Sequence, residues 1–272
     1  MKYLNIACGN IFIDNEDWIN IDFTTNSPSI KKADLLSGLP FKDNSFDVIY
    51  SSHFIEHIPK EHLETFLADC LRVLKPNGVI RLVTPDLEFL INEYVENIKS
   101  KKHFKANFIA ELLLDQCVRL TSGGNLAKLI HEIKNSDDLD AKAYVIKLLG
   151  PDIFEEIHIS SESYIDKALK KVRKDPKIII NIFSMVWIRF IIKLLPKSFR
   201  NTNVSLASIG EKHMWVYDFL NLSKSLNKVG FSDSKKLTFK ETMFENYIFS
   251  ELDISNTLPR KGTHQLFVEA RK

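Results

Sequence analysis

Gly9, Asp22 and Asp34 fall one after another at the ends of short apolar runs, the order a nucleoside site requires. The run Tyr3–Cys8 contains Asn5 and ends in the turn Ala7-Cys8-Gly9-Asn10, where glycine lets backbone approach a ligand without an intervening side chain. Asp22, followed by Phe23, closes the run WINIDF, and a carboxylate there suits ribose hydroxyls. Asp34 and Leu35, in ADLLSGLPF, set a carboxylate that can meet an adenine amine beside apolar groups. A second cluster, His53-Phe54-Ile55-Glu56-His57, matches the HxxEH spacing of a zinc pair with a glutamate base. Its place directly after a strand favours a structural and proton-handling role, and no metal is expected. His53 is a candidate general base, because imidazole titrates near neutral pH. A third cluster, Glu211–Asp218, puts His213 and Tyr217 four positions apart, on one face of a helix if it has begun by His213.

These residues need a scaffold, and the apolar periodicity supplies one. Tyr3–Cys8, Trp18–Phe23, Ser45–Ser51 and Val79–Thr84 read as buried parallel strands. Leu63, Phe66, Leu67, Leu71 and Leu74 recur at helical spacing, with Pro59 near the first turn and Pro76-Asn77-Gly78 as a stop. Met214–Val229 repeats the helical pattern up to Gly230, and Phe231–Phe239 and His264–Ala270 alternate like two antiparallel strands. The fold class is therefore α/β: a Rossmann-like, seven-stranded, mostly parallel sheet with an antiparallel last strand. Residues 1–90 and 209–272 form the core. Residues 91–208, lysine-rich and helical in pattern, form an insertion serving as lid and acceptor site.

Bulk composition narrows the partners. Lys and Arg number 37 against 35 Asp and Glu, so no global basic face for nucleic acid is expected. Three scattered cysteines, Cys8, Cys70 and Cys117, fit neither a disulfide framework nor a zinc site and suit a reducing cytoplasm. Residues 177–196 (KIIINIFSMVWIRFIIKLLP) are the most apolar stretch, but Arg189 and Lys193 speak against a membrane span. The helix they predict is amphipathic. Its apolar face suits burial in the insertion's own core or a homodimer, and its lysines suit peripheral contact with an anionic membrane.

LNIACGN, WINIDF, ADLLSGLPFKDNSFDVIYSSHFIEHI and LRVLKPNGVIRLVTPD resemble, in order and spacing, the motifs of class I S-adenosylmethionine-dependent methyltransferases. They look most like the small-molecule branch with the LPF-x-D-x-SFD signature. The resemblance covers residues 1–90 and resumes in HMWVYDFLNLSKSLNKVGF and the last strand. It implies S-adenosylmethionine as cofactor. Asn5, Ala7, Cys8, Gly9 and Asn10 would face its amino-acid part, Asp22 and Phe23 the ribose, Asp34 and Leu35 the adenine, and Ser51 and His53 the sulfonium. Three positions depart from the family pattern: Asn5 replaces an acid, and Ala7 and Ile11 stand at or near glycines. Trp18 follows Gly9 by only nine positions, so the first crossover helix must shrink to a turn or give way to loop.

The H-x-W-x-Y-D stretch at His213–Asp218 is similar to those of methyltransferases found with bacterial polysaccharide biosynthesis. That implies a small-molecule acceptor, such as a saccharide or nucleotide sugar, methylated on oxygen, with His53 and His213 as catalytic candidates. A lipid-linked acceptor at a membrane surface and a non-catalytic cofactor-binding scaffold stand as alternatives.

Overall fold

The computed structural model describes residues 1–24, 27–156, 186–188, 190–205, 207 and 210–272. Five parallel strands come first: β1 (Tyr3–Ile6), β2 (Trp18–Asp22), β3 (Ile30–Lys32), β4 (Phe46–Ser52) and β5 (Leu74–Pro85). With β6 (Ser232–Leu237) and the final strand β9 (Gln265–Arg271), they make one sheet in the order β3-β2-β1-β4-β5-β9-β6. Strand β9 runs antiparallel to both its neighbours. A two-residue ladder, β7 (Ile254–Ser255) with β8 (Leu258–Pro259), lies between β6 and β9 in the chain. Seven strands with an antiparallel closing strand match the sequence reading; β3, three residues long, left no legible alternation.

One face of the sheet is covered in the ordinary way. Helix α1 (Leu63–Val73) buries Leu63, Phe66, Leu67 and Cys70 against Leu4, Ile6, Ile49 and Ile80. The C-terminal helix of the core, Phe219–Val229, adds Leu222 and Leu226 to the same layer. The opposite face is unusual, because residues 7–17 between β1 and β2 contain no helix. Asn5 Nδ2 donates to Ile11 O (3.2 Å) and Asn20 Nδ2 to Ile13 O (2.9 Å), which fasten this loop to the strands. The face it leaves is covered from far away in sequence. Phe249 and Leu252 pack on Tyr3, Trp18, Val48 and Tyr50. The Tyr50 and Phe249 rings stack at 5.7 Å.

A buried charge network clamps that distant cover to the sheet. Arg81 on β5 is fully buried, with Nη1 2.6 Å from Glu269 Oε1 and Nη2 2.8 Å from Asp253 Oδ2. Tyr50 Oη donates to the other oxygen of Asp253 at 2.7 Å.

The stretch after β5 is helical, as the lysine-rich pattern predicts. Asp86 caps α2 (Leu87–Lys99) by accepting from the Glu88 and Phe89 amides. Helices α3 (His103–Val118), α4 (Gly124–Asn135), α5 (Leu139–Leu149) and α6 (Ile153–Glu156) follow. They share a separate core that includes Phe108, Leu112, Ile130, Val145 and Leu148. Helix α7 (Lys197–Asn203) precedes the return to the sheet, where Phe219–Val229 is α8 and Ser250–Asp253 is α9. Of the predicted 177–196 helix, residues 177–185 and 189 lie outside the described residues. Among the described residues no helix is long and apolar enough to cross a membrane.

One predicted boundary is wrong. Residues 213–217 are not helical; Asp218 is the N-cap of α8, accepting from the Asn221 amide at 2.8 Å. Upstream of that cap the chain is held by other strands and loops: the Met214 amide donates to Glu56 O, and Tyr217 bridges Asp86. His213 and Tyr217 therefore do not share a helix face.

Candidate active site

The carboxyl ends of β1, β2 and β4 meet where a parallel sheet ordinarily binds ligands. Ala7 and Gly9 both take left-handed φ values, 56° and 55°. A side chain at Gly9 would meet no atom within 4 Å, so the glycine faces open space. Ala7 has adopted the backbone of a glycine while carrying a methyl group, at some conformational cost. Asp22 Oδ2 accepts from the Gly9 amide at 2.9 Å, and Oδ1 accepts from the Thr24 amide at 2.9 Å. The β2 carboxylate thereby braces the β1 turn.

A cavity of about 430 Å³ opens beside this turn. Asn5, Ala7, Cys8, Gly9, Asn10 and His53, all singled out in the sequence, line it. Tyr50, Leu252, Arg260 and Lys261 line it too, and these sequence reasoning missed. The last three come from the segment between β6 and β9, and no local pattern announces so remote a partner. Burial, with help from Asp22, pushes the Cys8 thiol up to about 12, so it stays protonated and inert. Five other predicted residues do not line this cavity, and the first of them, Asp22, is engaged by the Gly9 and Thr24 amides. Phe23 is exposed on the surface, Leu35 is buried in the α1 layer, and Ser51 is buried with its hydroxyl unpartnered. Asp34 is exposed and turned to its own loop, where Ser37 Oγ and the Leu36 amide hold its carboxyl below its usual range.

A second cavity, about 390 Å³, lies between the sheet and the helices α3–α6. Leu112, Leu126, Ile130 and Leu149 form an apolar wall, and Gln116, Arg119, Glu211 and His213 bring polar groups. His53 and Lys261 line both cavities. His53 takes the left-handed region at φ 51°, and its Nδ1 lies 3.0 Å from Glu56 Oε1. Glu56 is fully buried, and Thr84 Oγ1 donates to its other oxygen at 3.2 Å. Burial opposes its ionisation, but His53, with His57 and His213 behind it, holds the carboxyl down to about 2. The nitrogen left for a proton, His53 Nε2, lies 3.3 Å from Gln265 Nε2, an amide that an incoming hydroxyl must displace.

His213 stands at the second cavity but away from the first. Burial pushes its imidazole down to about 3, so it is neutral at physiological pH. Burial likewise takes His264 down to about 4. The sign for stability follows from the proton count. Below the ordinary 6.5 the unfolded chain binds protons that these two folded imidazoles refuse, and Glu56 adds the same trend below 4.5. Stability should be full above about pH 6.5 and should fall as the pH drops toward 3. The loss should reach several kcal/mol, since each tenfold difference in proton affinity between folded and unfolded chain is worth about 1.4 kcal/mol. Urea midpoints measured across that range check this; a midpoint flat between neutral pH and pH 4 would refute it.

Among the described residues one set groups metal-type donors: Glu56, His57 and His213, with donor atoms within 4.8 Å of one another. It is not the His53–His57 pair of the HxxEH spacing. Ile55–His57 forms a single 3₁₀ turn, and the rings diverge, His53 toward His264 and His57 toward His213. His57 Nδ1 lies at hydrogen-bonding distance, 2.9 Å, from Lys212 O.

A parallel sheet closed by an antiparallel strand between its fifth and sixth members, with a glycine turn after β1 and an acid ending β2, is a Rossmann-like α/β arrangement. Residues 17–82 match the family model described as "Methyltransferase domain". An uncharacterised protein of Haemophilus influenzae is 36% identical over 64 residues, a stretch spanning 22% of this chain and 25% of that protein. Among solved structures, a SAM-dependent methyltransferase from Archaeoglobus fulgidus aligns over 100% of this chain and 86% of its own, at 14% identity and TM-score 0.40. A SAM-dependent methyltransferase from Thermotoga maritima, described as a possible histamine N-methyltransferase, aligns over 100% and 82%, at 13% identity and TM-score 0.41.

Proposed function

We propose that this protein is an S-adenosylmethionine-dependent methyltransferase acting on an oxygen of a small molecule. The observation that carries this reading is the pair of cavities meeting at His53, one beside the glycine turn and one under the helices. The residues fit the cofactor: the Gly9 face is open, Asp22 closes β2, and Arg260 and Lys261 supply positive charge beside the turn. When bound, S-adenosylmethionine supplies an electrophilic methyl group on a sulfonium. The chain's own work is orientation and proton transfer. His53 accepts the acceptor's hydroxyl proton, and the Glu56 carboxylate stabilises the imidazolium that results.

The acceptor reading follows the lining. A saccharide or nucleotide sugar suits the polar groups of Gln116, Arg119 and Glu211. Leu112, Leu126, Ile130 and Leu149 favour a second candidate, a hydroxyl on an apolar or lipid-linked body.

Calorimetry with S-adenosylhomocysteine tests the cofactor half. Wild type should bind, and Asp22→Ala should lose about ten- to hundredfold in affinity, because the Gly9 amide loses the carboxylate that braces the turn. No wild-type binding at millimolar ligand would sink the enzyme reading, and an unchanged Asp22→Ala would sink the site.

A further inference from the structure

The helical residues around 190, with α7 after them, turn large apolar side chains to water. Leu194 is 70% exposed, Trp187 56%, Phe190 52% and Phe199 52%. The Trp187 and Phe190 rings stack on each other at 5.9 Å. Lone exposed apolar residues are common, but a run of this size marks a contact surface.

Charge says what the surface contacts. Between residues 177 and 210 the sequence carries Lys177, Arg189, Lys193, Lys197 and Arg200 and no acidic residue, in a chain whose totals are 37 basic and 35 acidic. A second copy docked through this face by two-fold symmetry would set these cations against themselves. An anionic bilayer attracts them and takes the aromatic and aliphatic groups into its interfacial zone. A few residues further on, the chain reaches the second cavity. Ser205 Oγ donates to Arg119 O at 3.3 Å, Arg119 lines that cavity, and Leu114 and Val118 on the same helix α3 are exposed.

We infer that residues 186–200 dock on an anionic phospholipid surface. Trp187, Phe190, Leu194 and Phe199 enter the headgroup–acyl boundary, while Lys193, Lys197 and Arg200 meet phosphates. This docking stands on the surface alone and does not depend on what the cavities bind.

Flotation of the full chain on vesicles of phosphatidylcholine mixed with phosphatidylglycerol, against phosphatidylcholine alone, tests it. The protein should float with the anionic vesicles, release at high salt, and bind the neutral ones at least about tenfold less. Trp187→Glu and the pair Lys193→Glu with Lys197→Glu should each cut anionic binding by a similar factor, with unchanged far-ultraviolet circular dichroism. Three results would overturn the proposal. One is wild type staying at the bottom of the gradient with both vesicles. Another is equal flotation with both. The third is a dimer, seen by light scattering, that Trp187→Glu dissociates, which would make the occupant a second copy.

Discussion

Arg81→Ala should destabilise the fold by about 3–5 kcal/mol, the range for stripping one partner from a buried ion pair. The reason is what the guanidinium leaves behind. Asp253 and Glu269 are buried at 2% and 0% exposure, and both currently face Arg81. Without it, two carboxylates share a dry pocket beside the Phe249 and Phe267 rings that now flank the cation. Such a loss is a large part of an ordinary domain's stability, about 5–15 kcal/mol. Denaturant titration reads it directly, and a midpoint close to wild type would show that the network is incidental. The same variant should also lose cofactor affinity, because Asp253 holds the segment that brings Leu252, Arg260 and Lys261 to the first cavity.

His53→Asn should lower kcat by about 10²- to 10⁴-fold while leaving the affinity for S-adenosylhomocysteine within about threefold. Asparagine is the suitable replacement because His53 sits at φ 51°, a region asparagine tolerates better than alanine. The substitution therefore removes the base with little disturbance of the turn. Transfer of labelled methyl groups to an accepted hydroxyl compound, with calorimetry in parallel, separates the two effects. If His53→Asn keeps more than about a tenth of wild-type turnover, the proton leaves by another route. Glu56→Gln is the companion: a positioning residue should reduce kcat by less than the base itself and should alter its pH profile.

The parts of the site that were legible in sequence are local ones. Gly9, Asp22 and the strand within LPFKDNSFDVIYSS announce themselves because strand ends and turns are decided by a few neighbouring residues. The shortened β1–β2 crossover was legible too, since nine positions cannot hold a parallel crossover helix. What failed was long-range. Met214–Val229 repeats apolar residues at helical spacing, yet Met214 and Tyr217 pair with Glu56 and Asp86 across the fold, and Asp218 starts the helix late. Arg260 and Lys261 had no motif at all. Their place at the cavity comes from a covering segment whose anchor is a buried arginine on another strand.

The cover over the helix-free face has a further consequence, for the order of events in folding. Strands β1, β2 and β4 pair among near neighbours in sequence, so the glycine turn and Asp22 can come together early. The wall opposite them cannot: Tyr50 meets Asp253 across 203 positions, and Arg81 meets it across 172. Closing loops of that length is entropically costly and slow. Folding that follows sequence proximity would form the glycine-turn wall of the first cavity before the wall that Leu252, Arg260 and Lys261 supply. The first cavity is thus completed by a segment far in sequence from the turn that begins it.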